Sequence, residues 1–570
     1  MGTIKSILLD KKLLLLLMLF ILLGIFVRLY KASEIGYWSD DETTLPTGLL
    51  WFYDHNFYPG LLGQGEPAFG NYIFGKACML SGQDFSGVMQ MQPRFYPGRE
   101  ILIGEQLIRA NSQCHAPMYI FGILFFILSI IFASMLLKKH GTIMVAGLIA
   151  FNSFLLVFSR WIHVDIILYT FVVFGLISLF KALKAEKGSK SEKIWWISTV
   201  AMMAFAFSIK LPAAMYIIFS GLVMAIKYKD EIKGLLYKIS KELGLGIVKQ
   251  PENMPDPKTF FLLAIIAIAA YLAILFLTFE KNFSNIPTVI NAYRAQGADI
   301  GTLGLNKEIL SDIKKFLLTF SNLEMLIIIA SILYLPFVLK KTINGTLEEK
   351  FTAYLVALLL FMLATSPSMK LERIFFLFSF GLVLSTGMLV DKIAEKYARF
   401  GKASYIVAIA LIFSIPLYNA IYTAPDFISN YKLYNIMSNP SSSTALQYGA
   451  RPIGEYLQAL LGENETYFPA EPMTMVTYYV RHEQQLQYYL FRENFKAKFG
   501  KSPTVSEYLQ YFKPSNRRIR YLLIDKNTQS TDEFIRDILE NYEPMHIVYQ
   551  PSIRKVETIR VYDLDNLKKK

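Results

Sequence analysis

Cysteine is nearly missing from this chain: Cys78 and Cys114 are the two in 570 residues, too few for a thiolate metal cluster or a disulfide-built scaffold. Charge is scarce as well, with 18% Asp, Glu, Lys and Arg against 54% hydrophobic residues. A soluble globular domain does not carry that balance. The positive excess of 13 does not point to nucleic acid, because Lys and Arg collect in short segments between apolar runs and not along one polar face. No internal repeat is visible, and the C-terminal part has neither a Gly-rich phosphate loop nor a Ser/His/Asp arrangement. What the chain does have is hydrophobic length, with a mean hydropathy of +0.36.

Apolar runs long enough to cross about 30 Å of hydrocarbon at about 1.5 Å per residue start at Leu13 and recur near 117–137, 142–158, 164–181, 194–209 and 212–226. Others lie near 260–279, 323–339, 351–366, 374–390 and 404–420, so the expectation is about eleven transmembrane helices. No small-residue cleavage site follows the first run, where Arg28-Leu29-Tyr30 stands instead; the expectation is an uncleaved first span. The basic segments Lys5/Lys11/Lys12, Lys138/Lys139, Lys181 to Lys193, Lys227 to Lys258, Lys340/Lys341 and Lys392 to Lys402 then fall on one side, which the positive-inside rule makes cytoplasmic.

The opposite side receives a long first loop at 31–115, the turn around Ser159 to Asp165, the junction at Lys210, the loop 280–320, the segment around Lys370, and everything after about 421. Both cysteines fall in the first loop, which leaves a disulfide between them open. That loop carries Phe69, Tyr72, Ile73, Lys76, Met79 and Leu80 at helical spacing, and the "REILIGEQLIR" segment from Arg99 repeats the pattern. Both read as helices lying in the membrane interface or packing on the bundle. From about 425 turn residues appear, and strand-like "ETYFPA", "IRYLLID", "HIVYQ" and "TIRVYDL" alternate with helical stretches such as "TDEFIRDILENY". The predicted fold is therefore an α-helical polytopic membrane domain at 1–424, followed by a soluble extracytoplasmic α/β domain at 425–570.

Ionisable groups gather at the span ends away from the basic loops. Asp40, Asp41 and Glu42 are adjacent carboxylates after the first span, and Arg160 and Asp165 flank the next turn, with His163 between them. Lys210, then Lys370, Glu372 and Arg373, are cations on the side where the positive-inside trend disfavours them. Each such cation needs an anionic partner, a protein carboxylate or a lipid phosphate. Sugar transfer from a lipid phosphate would use this set. The phosphate leaves readily once its charge is stabilised, while an acceptor hydroxyl must lose its proton to a carboxylate as it attacks.

In the order and spacing of Asp41-Glu42, Ser159-Arg160 to Asp165, and Lys210, residues 13–425 resemble the GT-C class of membrane glycosyltransferases, specifically the dolichyl-phosphate-mannose protein mannosyltransferases and bacterial aminoarabinose transferases. That resemblance implies an inverting enzyme that takes a sugar from a polyprenyl (dolichyl) phosphate to a hydroxyl of protein Ser/Thr, a glycan or a lipid, at the extracytoplasmic face. It implies Asp41 as the acceptor-activating base with Glu42 beside it, Arg160 and Asp165 organising the site, and Lys210, Lys370 and Arg373, together with Arg160, on the donor phosphate. Where the family often has a basic residue before Pro-Pro in the first loop, this chain has Glu66-Pro67-Ala68, with His115-Ala116-Pro117 as the competing match. The β-trefoil insert of the eukaryotic enzymes is not visible. Asp40 and Asp41 offer oxygen ligands suited to a divalent metal ion. The implied partners are a polyprenyl-phosphate sugar, its acceptor and membrane lipids, without nucleic acid, in a bacterial or archaeal plasma membrane in preference to the ER. An oligosaccharyltransferase-like enzyme is disfavoured by the lack of a "WWDYG"-type signature, and a transporter by charges standing at one face and not at the midplane.

The topology gives a direct expectation. A cysteine placed at Ser442 should react with a membrane-impermeant maleimide on intact cells; protection there would reverse the assignment of faces.

Overall fold

The computed structural model describes residues 2–29, 69–82, 90–92, 99–101, 114–152, 164–210, 213–242, 322–365, 371–396, 465–469, 518–525, 533–549 and 557–570, with a few single positions besides. The short α1 (Gly2–Leu9) precedes α2 (Lys11–Leu29), the first apolar run, and α3 (Phe69–Leu80) lies in the first loop. A compact series follows: α4 (Ala116–Leu136), α5 (Lys139–Phe151), α6 (Val164–Lys184), α7 (Lys190–Ile209), α8 (Ala214–Lys227) and α9 (Lys229–Glu242). After it come α10 (Asn322–Asn344), α11 (Leu347–Thr365) and α12 (Leu371–Lys396). Among the described residues four helices, Lys11–Leu29, Ala116–Leu136, Val164–Lys184 and Leu326–Asn344, are long and apolar enough to cross a membrane. Hydrophobic residues on all sides of a helix are what a bilayer solvent selects, since every backbone polar group must be satisfied within the segment. The expected spans near 260–279 and 404–420 fall outside the described residues.

Small residues set the closest approach in the bundle. Where α5 crosses α12, a Cβ on Gly141 would stand 2.5 Å from Gly387 O and collide with Asp391, and a Cβ on Gly387 would stand 2.5 Å from Leu137 Cδ1. The contact lets Asp391 of α12 cap the N-terminus of α5, accepting from Lys138 N at 2.7 Å and Gly141 N at 2.6 Å. The local N-cap residue, Lys138, supplies no side-chain acceptor, so a neighbouring helix provides the cap that the sequence lacks.

The first loop both matches and departs from expectation. Residues Phe69–Leu80 are helical as the spacing predicts, but Arg99–Ile101 is a strand, β2, paired antiparallel with β1 (Gln90–Gln92). Pro97 and Gly98, immediately before Arg99, weigh against a helix starting at that residue. In the C-terminal part β3 (Glu465–Pro469), β4 (Arg518–Asp525), β6 (His546–Tyr549) and β7 (Glu557–Asp563) form a mixed sheet in the order β3-β4-β7-β6. The amphipathic α13 (Glu533–Asn541) lies between β4 and β6 in sequence, and a small ladder joins β5 (Tyr542–Glu543) to β8 (Lys568–Lys569). Strand β4 buries Tyr521, Leu522, Leu523 and Ile524 in succession, the mark of a central strand covered on both faces.

Gly141→Ala is expected to lower the thermal midpoint in detergent by the equivalent of about 1–3 kcal/mol of overpacking. Gly221→Ala, where an added Cβ meets nothing within 4 Å, should be neutral or mildly stabilising. Equal behaviour of the two would mean the α5–α12 crossing is not held by contact at Gly141.

Candidate functional site

Helices α6 and α7 form an antiparallel hairpin that is tied at both ends. Asp165 sits in the first turn of α6 and Lys210 caps the end of α7. Lys210 Nζ donates to Asp165 Oδ1 at 2.7 Å, with the two side chains 6% and 0% exposed. The arrangement compensates charge twice over. Each ion answers the other, and each also complements its own helix: a carboxylate at the positive N-terminal end of α6 and an ammonium at the negative C-terminal end of α7. Lys210 therefore takes the protein carboxylate as its anionic partner, and Asp165, 45 residues away in sequence, is that carboxylate.

About 30 Å away along the hairpin, a second buried network closes the other end. Glu192 meets Lys227 Nζ at 2.5 Å and accepts from Tyr228 OH at 2.6 Å and Gly188 N at 2.6 Å. Lys227 also donates to Ala182 O at 2.6 Å and Ala185 O at 2.9 Å, which satisfies carbonyls left over at the end of α6. Burial, reinforced by the bond to Glu192, pushes the Tyr228 phenol well above its ordinary pKa, so it remains a neutral donor. These groups are structural; they belong to the end carrying Lys181, Lys184 and Lys187.

The end with Asp165 and Lys210 holds further buried polar groups. Arg28, 1% exposed in the last turn of α2, donates from Nη1 to Gly24 O at 2.9 Å and from Nη2 to Ile149 O at 2.9 Å, and lies 4.5 Å over the Phe126 ring. It thereby binds a carbonyl from the C-terminal turn of α5 to the first span. Its sequence signal was the same one that singled out Lys210, a lone cation at the span end away from the basic loops. His115 is 1% exposed at the start of α4, with its ring 5.0 Å from Tyr119.

Next to His115, Cys114 is bonded to Cys78 of α3, with Cα atoms 4.5 Å apart. Closing a loop of this length contributes about 3–4 kcal/mol in the chain-entropy account. The bridge joins the first-loop helix to the head of α4. Helix α3 turns Gly70, Asn71, Phe74, Gly75 and Cys78 inward and leaves the predicted stripe half-buried to exposed, with Leu80 77% exposed. An aromatic series runs from it into the bundle: Phe69 lies 5.6 Å from Phe205, Phe205 5.6 Å from Phe171, and Phe171 5.9 Å from Phe121.

Among the expected site residues, the structure brings Asp165 and Lys210 together and places His115 at the head of the neighbouring α4. Arg373 falls in the first turn of α12. Asp40, Asp41, Glu42, Glu66, Arg160 and Lys370 lie outside the described residues. Among the described residues no group of three or more His, Cys, Asp or Glu side chains is placed to hold a metal ion.

No family model matches the chain, and no curated protein matches its sequence. Solved structures do. ArnT from Cupriavidus metallidurans in the apo state superposes with a TM-score of 0.50 at 11% identity, over 97% of this chain and 98% of that one. ArnT from the same organism bound to undecaprenyl phosphate gives 0.49 at 11% identity, over 95% and 97%. The archaeal oligosaccharyltransferase AglB from Archaeoglobus fulgidus, in complex with an inhibitory peptide and a dolichol-phosphate, gives 0.42 at 12% identity, over 95% and 73%. The likeness to apo ArnT shows the fold: a mainly helical integral membrane protein of GT-C type.

Breaking the buried pair on one side strands a charge. Lys210→Met alone is expected to destabilise by about 3–5 kcal/mol, and combining it with Asp165→Leu, which removes both charges, should recover most of that loss. Thermal unfolding of the single and double variants measures it; a double variant as unstable as the single would show that charge compensation is not what the pair contributes.

Proposed function

We propose that the protein is a glycosyltransferase that moves a sugar from a polyprenyl-phosphate donor to a hydroxyl acceptor at the extracytoplasmic membrane face. The observation that carries this reading is the buried Asp165–Lys210 pair, set at the end of a GT-C type bundle away from its basic loops. A disulfide-anchored first-loop helix lies against the same end. Buried ion pairs add little net stability, so a pair kept there is better explained by a site that it shapes.

In the proposed reaction Asp41 takes the proton of the acceptor hydroxyl as its oxygen attacks the anomeric carbon of the sugar. The bond from that carbon to the phosphate oxygen breaks, and the bonding pair leaves with polyprenyl phosphate. A single displacement inverts the anomeric centre. Glu42 stands beside the base, and Arg160 with Asp165 shapes the pocket. Lys370 and Arg373 supply the positive field in which the departing phosphate gains charge, and Lys210, whose charge Asp165 balances, donates a hydrogen bond to it. Asp165 then has a positioning role: its bond to Lys210 holds the ammonium at the head of the hairpin. The acceptor is a protein Ser/Thr, a glycan or a lipid, and the α/β part after 425 helps to hold it. The transport alternative places its charges near the bilayer midplane, whereas Arg28, Asp165, Glu192 and Lys210 all stand within one turn of a helix end.

The purified protein, incubated with undecaprenyl-phosphate and dolichyl-phosphate sugars and a panel of acceptors, should consume a donor and release polyprenyl phosphate with a matching gain in product mass. Asp41→Asn should fold and bind that donor yet transfer about 100- to 10,000-fold more slowly, since the amide keeps the shape and loses the base. Near-normal transfer by Asp41→Asn with a dead Asp40→Asn would move the base by one residue; activity in both would remove this loop from the chemistry.

A further inference from the structure

Helix α3 meets the hairpin at its charged end. A Cβ on Gly70 would stand 2.7 Å from Val164 Cγ1 and 3.1 Å from Ile209 Cγ2. Val164 immediately precedes Asp165, and Ile209 immediately precedes Lys210. The absence of a side chain at Gly70 thus lets α3 seat on both strands of the hairpin where the ion pair is made. Phe69 secures this end of α3 on Phe205, 5.6 Å away, and the Cys78–Cys114 bond secures the other. The helix stops one turn later, where Gly82 takes a φ of 76°, the left-handed conformation that glycine adopts freely.

Asn71 follows Gly70 on the same inward face. It is 5% exposed, and its Oδ1 has no hydrogen-bond partner. A buried amide oxygen left unpaired destabilises the fold that contains it, while an apolar side chain of similar size would pack there without that penalty. The remaining inward positions of α3 follow the apolar rule, with Gly70, Phe74, Gly75 and Cys78. From this placement we propose that Asn71 contacts the sugar of the bound donor. The inference rests on the glycosyltransferase reading above and names the group that this position reads.

The chemistry of the amide selects a hydroxyl-bearing ligand. Oδ1 accepts and Nδ2 donates. A phosphate has acceptors alone and leaves Oδ1 unpaired, and an ammonium has donors alone. A sugar hydroxyl does both, so one bound sugar pairs Oδ1 and gives Nδ2 an acceptor. Being uncharged, the amide also leaves the neighbouring Asp165–Lys210 balance undisturbed. The disulfide and Phe69 hold α3 in place before the ligand arrives, so little ordering is needed when it binds.

The test separates a ligand contact from a core residue. In lipid nanodiscs, binding of undecaprenyl phosphate and of undecaprenyl phosphate carrying mannose, glucose or aminoarabinose is measured for the wild type, Asn71→Leu and Asn71→Ala, together with each Tm. Asn71→Leu should keep or raise the Tm and bind bare undecaprenyl phosphate as the wild type does. It should lose roughly 10- to 100-fold in affinity for whichever sugar-bearing form the wild type prefers, as loss of one or two hydrogen bonds implies. Asn71→Ala, which adds no volume, carries the same comparison if leucine does not fit. Unchanged affinity for the sugar-bearing form, equal loss for bare and sugar-bearing forms, or a fall in Tm that parallels the binding loss in both variants would each overturn the assignment. A wild type that binds none of these lipids would overturn the glycosyltransferase reading itself, a result distinct from failure at Asn71 alone.

Discussion

Taking a carboxylate and an ammonium out of water is expensive, and the far end of this bundle is organised around the way that expense is met. Asp165 and Lys210 lie on consecutive helices whose macrodipoles run in opposite directions, so the end where α6 starts is also the end where α7 stops. One contact of 2.7 Å neutralises two ions and two helix ends together. The hairpin is consequently fixed in register at that end, and the Glu192 network fixes the other about 30 Å below. Elements that pack on this hairpin inherit its precision.

That inheritance is visible in the first-loop helix. Loops on a membrane protein are ordinarily mobile relative to the spans they join, but α3 is held by covalent and packing contacts at its two ends, through Cys78 and Gly70. Its position over the ion pair is thereby set before any substrate binds. The proposed transfer, in which a phosphate leaves, would gain from this rigidity, because dipoles and charges that are already oriented need no reorganisation in the transition state. The close α5–α12 crossing works on the same principle, with Gly141 and Gly387 bringing Asp391 close enough to cap α5.

Candidate residues differed in how well their roles could be read beforehand. Lys210 stood out as a cation on the wrong side, and the need for an anionic partner followed, but not which anion. Asp165 stands close to Arg160 in sequence, and its bond to Lys210, 45 residues away, is a contact that only the fold shows. Arg28 carries the same signal as Lys210, a cation closing an apolar run at the end away from the basic loops. The helix at 69–80 was legible from its spacing. Its inward face was not, because that face is made of glycines, one asparagine, Phe74 and Cys78 and carries little hydrophobic contrast. The segment from Arg99 showed helical spacing yet begins as a strand, because pairing with Gln90–Gln92 is a non-local contact that periodicity does not report.

The sequence by itself determined where the described helices of the membrane part run and that the described C-terminal elements include both strands and a helix. Hydrocarbon leaves a long apolar segment no choice but to satisfy its backbone internally, so hydropathy and secondary structure coincide there. Only the tertiary structure decided which charges meet, whether the two cysteines come within bonding reach and which side of α3 is buried. Those outcomes depend on the rotation of each helix about its axis, where one residue turns a side chain by about 100°, and on where the helix ends fall relative to one another. A difference of one position that leaves hydropathy unchanged separates Asp165 facing Lys210 from Asp165 facing lipid.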